Sequence, residues 1–114
     1  MKLKNKELEP MLLQLSATIT YADKTTEQIG LLHESISLGT KRRLSKILKA
    51  AFPLLQQYQA DRKEAEDSKD KDKELEELDN EEVTLDVEKV SIAMIESIQT
   101  KTNYDWDLIE KIAE

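Results

Sequence analysis

The segment 61–82 carries 17 charged side chains in 22 positions, 12 of them acidic and five basic. A segment of this composition offers almost no apolar surface to a core. The whole chain still contains 29 Leu, Ile, Val and Phe residues among its 114 positions, about a quarter. That fraction is above the roughly 20% below which highly charged chains stay disordered. We therefore expect one small core, built from the stretches on either side of the charged segment.

The net charge of the chain is concentrated in the same segment. The formal net charge is −7, and residues 61–82 alone contribute −7 (12 acidic against five basic side chains). The other 92 residues carry 12 acidic and 12 basic side chains and are neutral overall. Residues 35–60 show the opposite bias, because they contain five basic residues and no acidic one. A basic stretch is thus followed directly by an acidic one.

The residue inventory argues against several kinds of chemistry. The chain has no cysteine, a single histidine, His33, and only two glycines. It therefore offers no thiolate nucleophile or zinc–thiolate site and no glycine-rich phosphate loop. No apolar run approaches the ~18 residues of a membrane span, and residues 1–10 lack the apolar region of a secretory signal. We predict a non-enzymatic protein with no catalytic, cofactor-binding or metal-binding residues and no membrane association.

The first 40 residues show the spacing of amphipathic helices. Apolar residues at intervals of three and four predict a helix from about Leu8 to Tyr21, with Pro10 in its first turn. Thr25 and Gln28 fit a capping box at the start of a second short helix, which would end before Gly39.

A longer helix is expected after Thr40, which can cap it. Its apolar positions run in register from Leu44 to Tyr58, and Pro53 within them predicts a kink or a split, of which the continuous register favours the kink. Phe52 is expected on the core side of this helix. After this helix, residues 66–74 are densely charged and include no apolar side chain before Leu75. We therefore predict that they are mobile.

Alternation of apolar residues predicts a strand at 83–87, which we expect to pair with a second strand at 1–5. A helix capped by Asp86 should follow and end at the polar run 99–103. Asn103 or Asp105 should then cap a last short helix. The predicted fold is mainly α, with four or five helices and a minimal two-stranded β pairing, in one domain over 1–114. The expected core residues are Leu12, Leu15, Leu44, Leu48, Met94, Ile95 and Ile109.

The stretch 41–49 is the candidate binding element. Arg42, Lys46 and Lys49 are spaced at i, i+4 and i+7, which places them on one face of the helix. The candidate partner-binding residues are Lys41, Arg42, Arg43, Lys46 and Lys49. This face suits an acidic protein partner, or nucleic-acid phosphates as the alternative, although no aromatic residue is interleaved for base stacking.

The order of segments resembles an uncharacterised family of small proteins encoded by tailed phages of Gram-positive bacteria. The resemblance rests on the MKLKNKELEP start, the basic helix TKRRLSKILKAAF, the charged middle, ELDNEEVTLD, and the ending NYDWDLIEKIAE. It implies a phage accessory or structural protein made in the host cytoplasm, with virion association open, and it implies no known active site.

Two classes of function follow as hypotheses. The first is a bacteriophage protein that acts by protein–protein interaction, either as a virion or assembly factor or as an inhibitor of a host or defence protein. Its partner would be a phage or host protein, or a second copy of this chain. The alternative is a nucleic-acid-associated protein that uses the basic helix 41–49.

Overall fold

The computed structural model describes residues 1–96, 98 and 102–114. Within them lie five α-helices: α1 (Asn5–Leu15), α2 (Leu38–Glu66), α3 (Lys71–Asn80), α4 (Ile92–Glu96) and α5 (Trp106–Ile112). Four short strands, β1 (Lys2–Lys4), β2 (Ala17–Thr20), β3 (Thr26–Ile29) and β4 (Glu82–Thr84), form two antiparallel pairs. The predicted mainly α fold with minimal β pairing is confirmed, and the second pair is an addition to it.

The pairing of the first residues with a strand near residue 83 is confirmed. Strand β1 lies antiparallel to β4, with Leu3 opposite Val83. The Leu85 amide donates to the Met1 carbonyl at 2.8 Å, which extends the ladder by one bond. Because alternate residues of a strand face opposite sides, Leu3 is buried while Lys2 is exposed.

Helix α1 is shorter than predicted and starts earlier. It begins at Asn5, so Pro10 is its sixth residue and lies in the second turn, not the first. It ends at Leu15, because the Ser16 amide closes the last turn on Leu12 at 3.0 Å and the chain then becomes extended. The predicted continuation to Tyr21 is wrong, since the β-branched run after Ala17 forms strand β2.

A β-hairpin replaces the predicted second helix. Strands β2 and β3 pair from Ala17–Ile29 to Thr20–Thr26. The Thr25 hydroxyl donates to Asp23 Oδ1 at 2.6 Å instead of capping a helix, and Lys24 takes a positive φ of 68° in the turn. Only a 3₁₀ turn, Leu31–His33, follows the hairpin.

Helix α2 is 29 residues long. Its N-cap is Ser37, whose hydroxyl accepts from the Thr40 amide at 3.2 Å, so the predictions of Thr40 as cap and of Gly39 after a helix end are wrong. The helix runs without interruption through Pro53, as the in-register spacing indicated, and the alternative of a split is excluded. Pro53 is exposed, which leaves the carbonyl four residues before it close to water.

The charged segment folds back on the structure. Helix α2 ends at Glu66, residues 67–70 form a turn, and α3 begins at Lys71. The part of the expected linker from residue 71 onward is therefore helical, and the mobility of 66–74 stays a prediction. Leu75 and Leu78 are half-buried, so this weakly apolar helix packs one side against α1 and α2.

The C-terminal part departs from the prediction between residues 87 and 91. No helix starts at Asp86; instead Val90 forms a parallel bridge with Ala113, and α4 begins only at Ile92. Asp105 caps α5, as predicted, by accepting from the Leu108 amide at 3.4 Å. The predicted polar break 99–103 lies largely outside the described residues.

The buried apolar residues form one cluster that draws on both sides of the charged segment. Two expected members differ. Met94 in α4 is 49% exposed, whereas its neighbour Ile95 is buried, and Leu48 is only half-buried at the edge of the α1–α2 contact. The fully buried large side chains are Leu3, Leu8, Met11, Leu15, Leu31, Leu44, Ile47, Leu85, Val90, Ile95, Ile109 and Ile112.

The two glycines make a matched test of this fold. A Cβ at Gly30, which has φ of 122°, would lie 2.5 Å from the Leu15 carbonyl oxygen, whereas a Cβ at Gly39 would meet nothing within 4 Å. We expect Gly30→Ala to lower the free energy of unfolding by about 1–3 kcal/mol. Gly39→Ala should raise it by up to about 1 kcal/mol, because alanine favours the first turn of α2. Urea unfolding followed by circular dichroism measures both, and equal stabilities would contradict the hairpin-to-α1 contact.

Candidate partner-binding site

The five candidate cations lie on the first half of α2. Four of them, Arg42, Arg43, Lys46 and Lys49, are exposed, and Lys41 is half-buried. In the described part of the chain, no side chain of the five takes part in an ion pair; the pairs there are Arg62–Asp79 and Lys111–Glu7. The positive charge of this stretch is therefore open to an external partner.

The structure divides these cations between two sides of the helix. Arg43 and Lys46 line a depression together with Asp86, Val87 and Glu88, so acidic side chains of the same chain lie beside them. Arg42 and Lys49 do not line this depression; they are seven residues apart and share a helix face, and Phe52 follows Lys49 by three residues. The face predicted from spacing thus has one partly compensated edge and one uncompensated edge.

An apolar depression, here called the Phe52 groove, opens between α1 and α2 beside the uncompensated edge. Leu13 and Phe52 are each 50% exposed at its two walls. Its volume is about 350 Å³, and its lining residues are Glu9, Leu12, Leu13, Ser16, Leu48, Phe52 and Leu55. Five of these seven side chains are large and apolar, so the groove is an apolar patch exposed to solvent.

Sequence reasoning missed this groove. Phe52 was expected on the core side, but the core face of α2 passes through Leu44, Ala51 and Leu55, and Phe52 lies at its edge. Leu13 was assigned no role. Leu13 directly follows Leu12, so it cannot share the buried face of α1. This extra apolar residue was the feature of the sequence that indicated an exposed apolar position.

A longer depression, here called the Tyr58 cleft, continues from the Phe52 groove. Its volume is about 980 Å³, and it lies between α1, α2 and α3. Glu9 and Leu13 line both depressions, so the two are continuous along α1. The other lining residues of the cleft are Lys6, Pro10, Gln56, Tyr58, Gln59, Ala60, Arg62, Lys63, Glu66 and Asp79.

A polar cluster closes the far end of the cleft and fastens α3 to α2. The Tyr58 hydroxyl and the Arg62 guanidinium both donate to Asp79 Oδ1. Arg62 also donates to the Tyr58 hydroxyl at 3.2 Å and lies 5.8 Å from the centroid of its ring. The Asn5 side chain donates to the Leu78 carbonyl at 2.9 Å, which holds α3 against α1 as well.

The cluster shifts two pKa values in opposite directions. Donation by the Tyr58 hydroxyl lowers the pKa of Asp79, and Arg62 lowers it further, against the opposing effect of partial burial. Burial raises the pKa of Tyr58, and its bond to Asp79 adds to the rise. Asp79 is therefore ionised and Tyr58 neutral at pH 7, which is the state in which every bond of the cluster forms.

The single histidine lies beside a serine at the base of the hairpin. His33 is exposed, and its Nε2 is 2.9 Å from Ser16 Oγ. A serine nucleophile needs a base that a third group orients, and the described residues place no side-chain partner on the other ring nitrogen. The contact joins the end of α1 to the turn after β3.

Neither a metal site nor a membrane-spanning helix is found among the residues that the structure describes. No group of three or more His, Asp or Glu side chains there is arranged to hold a metal ion. None of the described helices is long and apolar enough to cross a bilayer.

Comparison of the chain with protein-family models, with curated proteins and with solved structures gives no match. The resemblance to phage proteins therefore stays a prediction.

The polar cluster gives a prediction for stability against pH. Because the folded-state pKa of Asp79 is lowered, its contribution is present above the ordinary carboxyl pKa and is lost as pH falls through the lowered value. Asp79→Asn should cost about 1 kcal/mol at pH 7. The difference from the parent should shrink below about pH 4. Urea unfolding at pH 7, 5, 4 and 3 measures this.

Tyr58→Phe is the matched control, because it removes only the hydroxyl that lowers the pKa of Asp79 most. The pKa of Asp79, followed by NMR of its carboxyl carbon, should rise in this variant. A stability difference for Asp79→Asn that is constant from pH 7 to pH 3 would contradict the cluster.

Proposed function

We propose that this chain is a non-enzymatic protein that acts by binding another protein through the Phe52 groove. The observation that carries the proposal is the exposure of half of Leu13 and half of Phe52 on facing walls of an apolar depression. A partner that covers them removes apolar area from water, which contributes about 25 cal/mol per Å². Large exposed apolar side chains grouped in this way mark interaction surfaces more often than isolated ones do.

The phage role is part of the proposal and is supported by the resemblance of the segment order. In that role the chain is made in the host cytoplasm and acts either as a virion or assembly factor or as an inhibitor of a host or defence protein. Both versions need only a binding surface, and both allow a second copy of the chain as the partner.

The alternative function is association with nucleic acid through the basic helix 41–49. The exposed side chains of Arg42, Lys46 and Lys49 favour it. The acidic side chains elsewhere in the chain oppose nucleic-acid binding. Asp86 and Glu88 lie beside Lys46, and the segment 61–82 has a formal net charge of −7. A surface without net positive charge does not steer a polyanion towards itself.

A photo-crosslinking residue in place of Phe52 tests the protein-binding proposal. In cells that produce the chain, irradiation should give a discrete protein adduct. The same residue in place of Glu110, which is exposed on α5, is the control and should give none. An adduct of twice the chain's mass identifies a second copy as the partner. Equal labelling from both positions, or no protein adduct from position 52, would refute the proposal.

The alternative gives a quantitative prediction. We expect the purified protein to bind neither duplex DNA nor single-stranded RNA more tightly than about 100 μM at physiological salt, the weak end of non-specific binding. Fluorescence anisotropy with labelled oligonucleotides at 50 and 200 mM salt measures this. Micromolar, salt-sensitive binding that Arg42→Glu with Lys46→Glu abolishes would instead establish the nucleic-acid function.

A further inference from the structure

We propose that strand β2 pairs edge to edge with β2 of a second copy, so that two β2–β3 hairpins join into one four-stranded antiparallel sheet. This contact is separate from the Phe52 groove and goes beyond the proposed function, because it needs no other protein. It is therefore tested independently of what the groove binds.

The β2–β3 hairpin is almost entirely exposed to solvent. Every residue from 18 to 28 is exposed, and the half-buried residues at its base are Ala17 and Ile29. The two large apolar side chains in the exposed part, Ile19 and Tyr21, are 36% and 47% exposed. An isolated two-stranded hairpin is only marginally stable in water, and further strands stabilise it. Added strands would therefore stabilise the hairpin and cover apolar side chains that water now surrounds.

The hydrogen bonds of the hairpin show which backbone groups of β2 point outward. The Tyr21 amide donates to the Thr25 carbonyl at 2.9 Å, so Tyr21 belongs to a hydrogen-bonded pair. Because such pairs alternate along an antiparallel ladder, Ile19 also bonds to β3, whereas the backbone groups of Thr18 and Thr20 point away from it. Among the described residues, no backbone bond joins Thr18 or Thr20 to another element. The outer edge of β2 therefore presents two amides and two carbonyls to a further strand.

These outward groups are spaced to pair with a second copy of the same strand. When two β2 strands run antiparallel with Ile19 opposite Ile19, Thr18 of each copy lies opposite Thr20 of the other. Each of these residue pairs exchanges two hydrogen bonds, so every outward group of both strands is satisfied. A twofold axis then passes between the two Ile19 residues, and this closed symmetry ends the association at two copies.

The same register covers the exposed apolar side chains. Ala17, Ile19 and Tyr21 share one face of β2, because alternate residues of a strand point to the same side. Opposite residues of a non-hydrogen-bonded pair have Cα atoms about 4.5 Å apart, so the two Ile19 side chains contact each other. Tyr21 of each copy lies opposite the small Ala17 of the other, which leaves space for the ring. The pairing thus removes apolar area from water.

Charge selects β2 rather than β3 as the edge that pairs. Strand β2 has the sequence ATIT, with no charged residue and three β-branched ones. The equivalent symmetric pairing of β3 would place Glu27 opposite Glu27, and like charges in that position are destabilising. Edge strands are commonly protected from pairing by a charged residue or a proline, and β2 has neither. A second copy can therefore use the β2 edge.

The expected dimer is weak and is strengthened by salt. Each copy has a net charge of −7, which opposes association, but residues 61–82 carry that charge and are not part of the hairpin. Salt screens this repulsion, whereas the backbone bonds and the Ile19 contact involve no charged group. Contacts below about 1,200 Å² are typical of transient pairs, so we expect a dissociation constant on the order of 100 μM. Sedimentation velocity over a concentration series, at low and high salt, measures this.

A single introduced cysteine tests the register of the pairing. The chain has no cysteine, so a disulfide in a one-cysteine variant must join two copies. Ile19→Cys should form a disulfide-linked dimer under mild oxidation, because Cα atoms about 4.5 Å apart are within disulfide range. Glu27→Cys is the matched control, because Glu27 lies opposite Ile19 on β3 and is also exposed. It should crosslink at least about tenfold more slowly, since its Cα atoms lie beyond disulfide range in the paired sheet.

Charge exchange at position 19 gives a second test, because a residue at the twofold axis meets its own copy. Ile19→Lys and Ile19→Glu should each weaken association about tenfold, since each variant places like charges opposite one another. An equimolar mixture of the two variants should recover association, because Lys then lies opposite Glu. Circular dichroism checks that both variants fold.

A variant of the groove separates the two surfaces. Phe52→Ser should leave the dissociation constant within about twofold of the parent value, because residues without a shared contact act independently. Loss of the dimer in this variant, equal crosslinking at positions 19 and 27, or a mixture that associates no better than its components would overturn the inference. A parent chain that stays monomeric at about 1 mM, ten times the expected dissociation constant, would overturn it as well. None of these results bears on binding of another protein in the groove.

Discussion

Burial of helix α1 is the interaction on which the rest of the structure depends. This helix has only 11 residues, yet it contacts α2, α3, α5 and strands of both sheets. Leu8, Met11 and Leu15 are completely buried, and burial of each such side chain contributes about 1.5–3 kcal/mol. With so many neighbours around it, α1 has one large apolar side chain left at the surface besides the small ring of Pro10. That side chain is Leu13, and the Phe52 groove is the space beside it.

The sequence predicted those elements whose apolar pattern has one interpretation. The alternation of apolar and charged residues around Leu3 and Val83 predicted the β1–β4 pair. The helical spacing of apolar residues from Leu44 to Tyr58 predicted α2. The hairpin was missed because Ile19 happens to continue the helical spacing of Leu15. The β-branched neighbours of Ile19 carried the competing signal, and they prevailed once Ser16 ended the helix.

The candidate site was predictable only in part for a related reason. Spacing along one helix places Arg42, Lys46 and Lys49 on one face without any knowledge of the fold. It does not show that Arg43 and Lys46 lie beside Asp86, because that contact joins distant parts of the chain. The same is true of Tyr58 and Asp79, which are 21 residues apart and meet only because the turn 67–70 reverses the chain. The folded-back α3 brings Asp79 into the Tyr58 cleft, where Lys6, Arg62 and Lys63 also line the surface.

The pairing of β1 with β4 also has a consequence for how the molecule is made. Leu3 cannot reach its partner Val83 until the ribosome has added 80 further residues, of which Val83 is the last. At the usual 5–20 residues per second, that interval is roughly 4–16 s. During it, the apolar face of α1 emerges from the exit tunnel without its final cover. The β1–β4 pair therefore forms late in synthesis relative to α1, and the nascent α1 is a segment on which a chaperone would act.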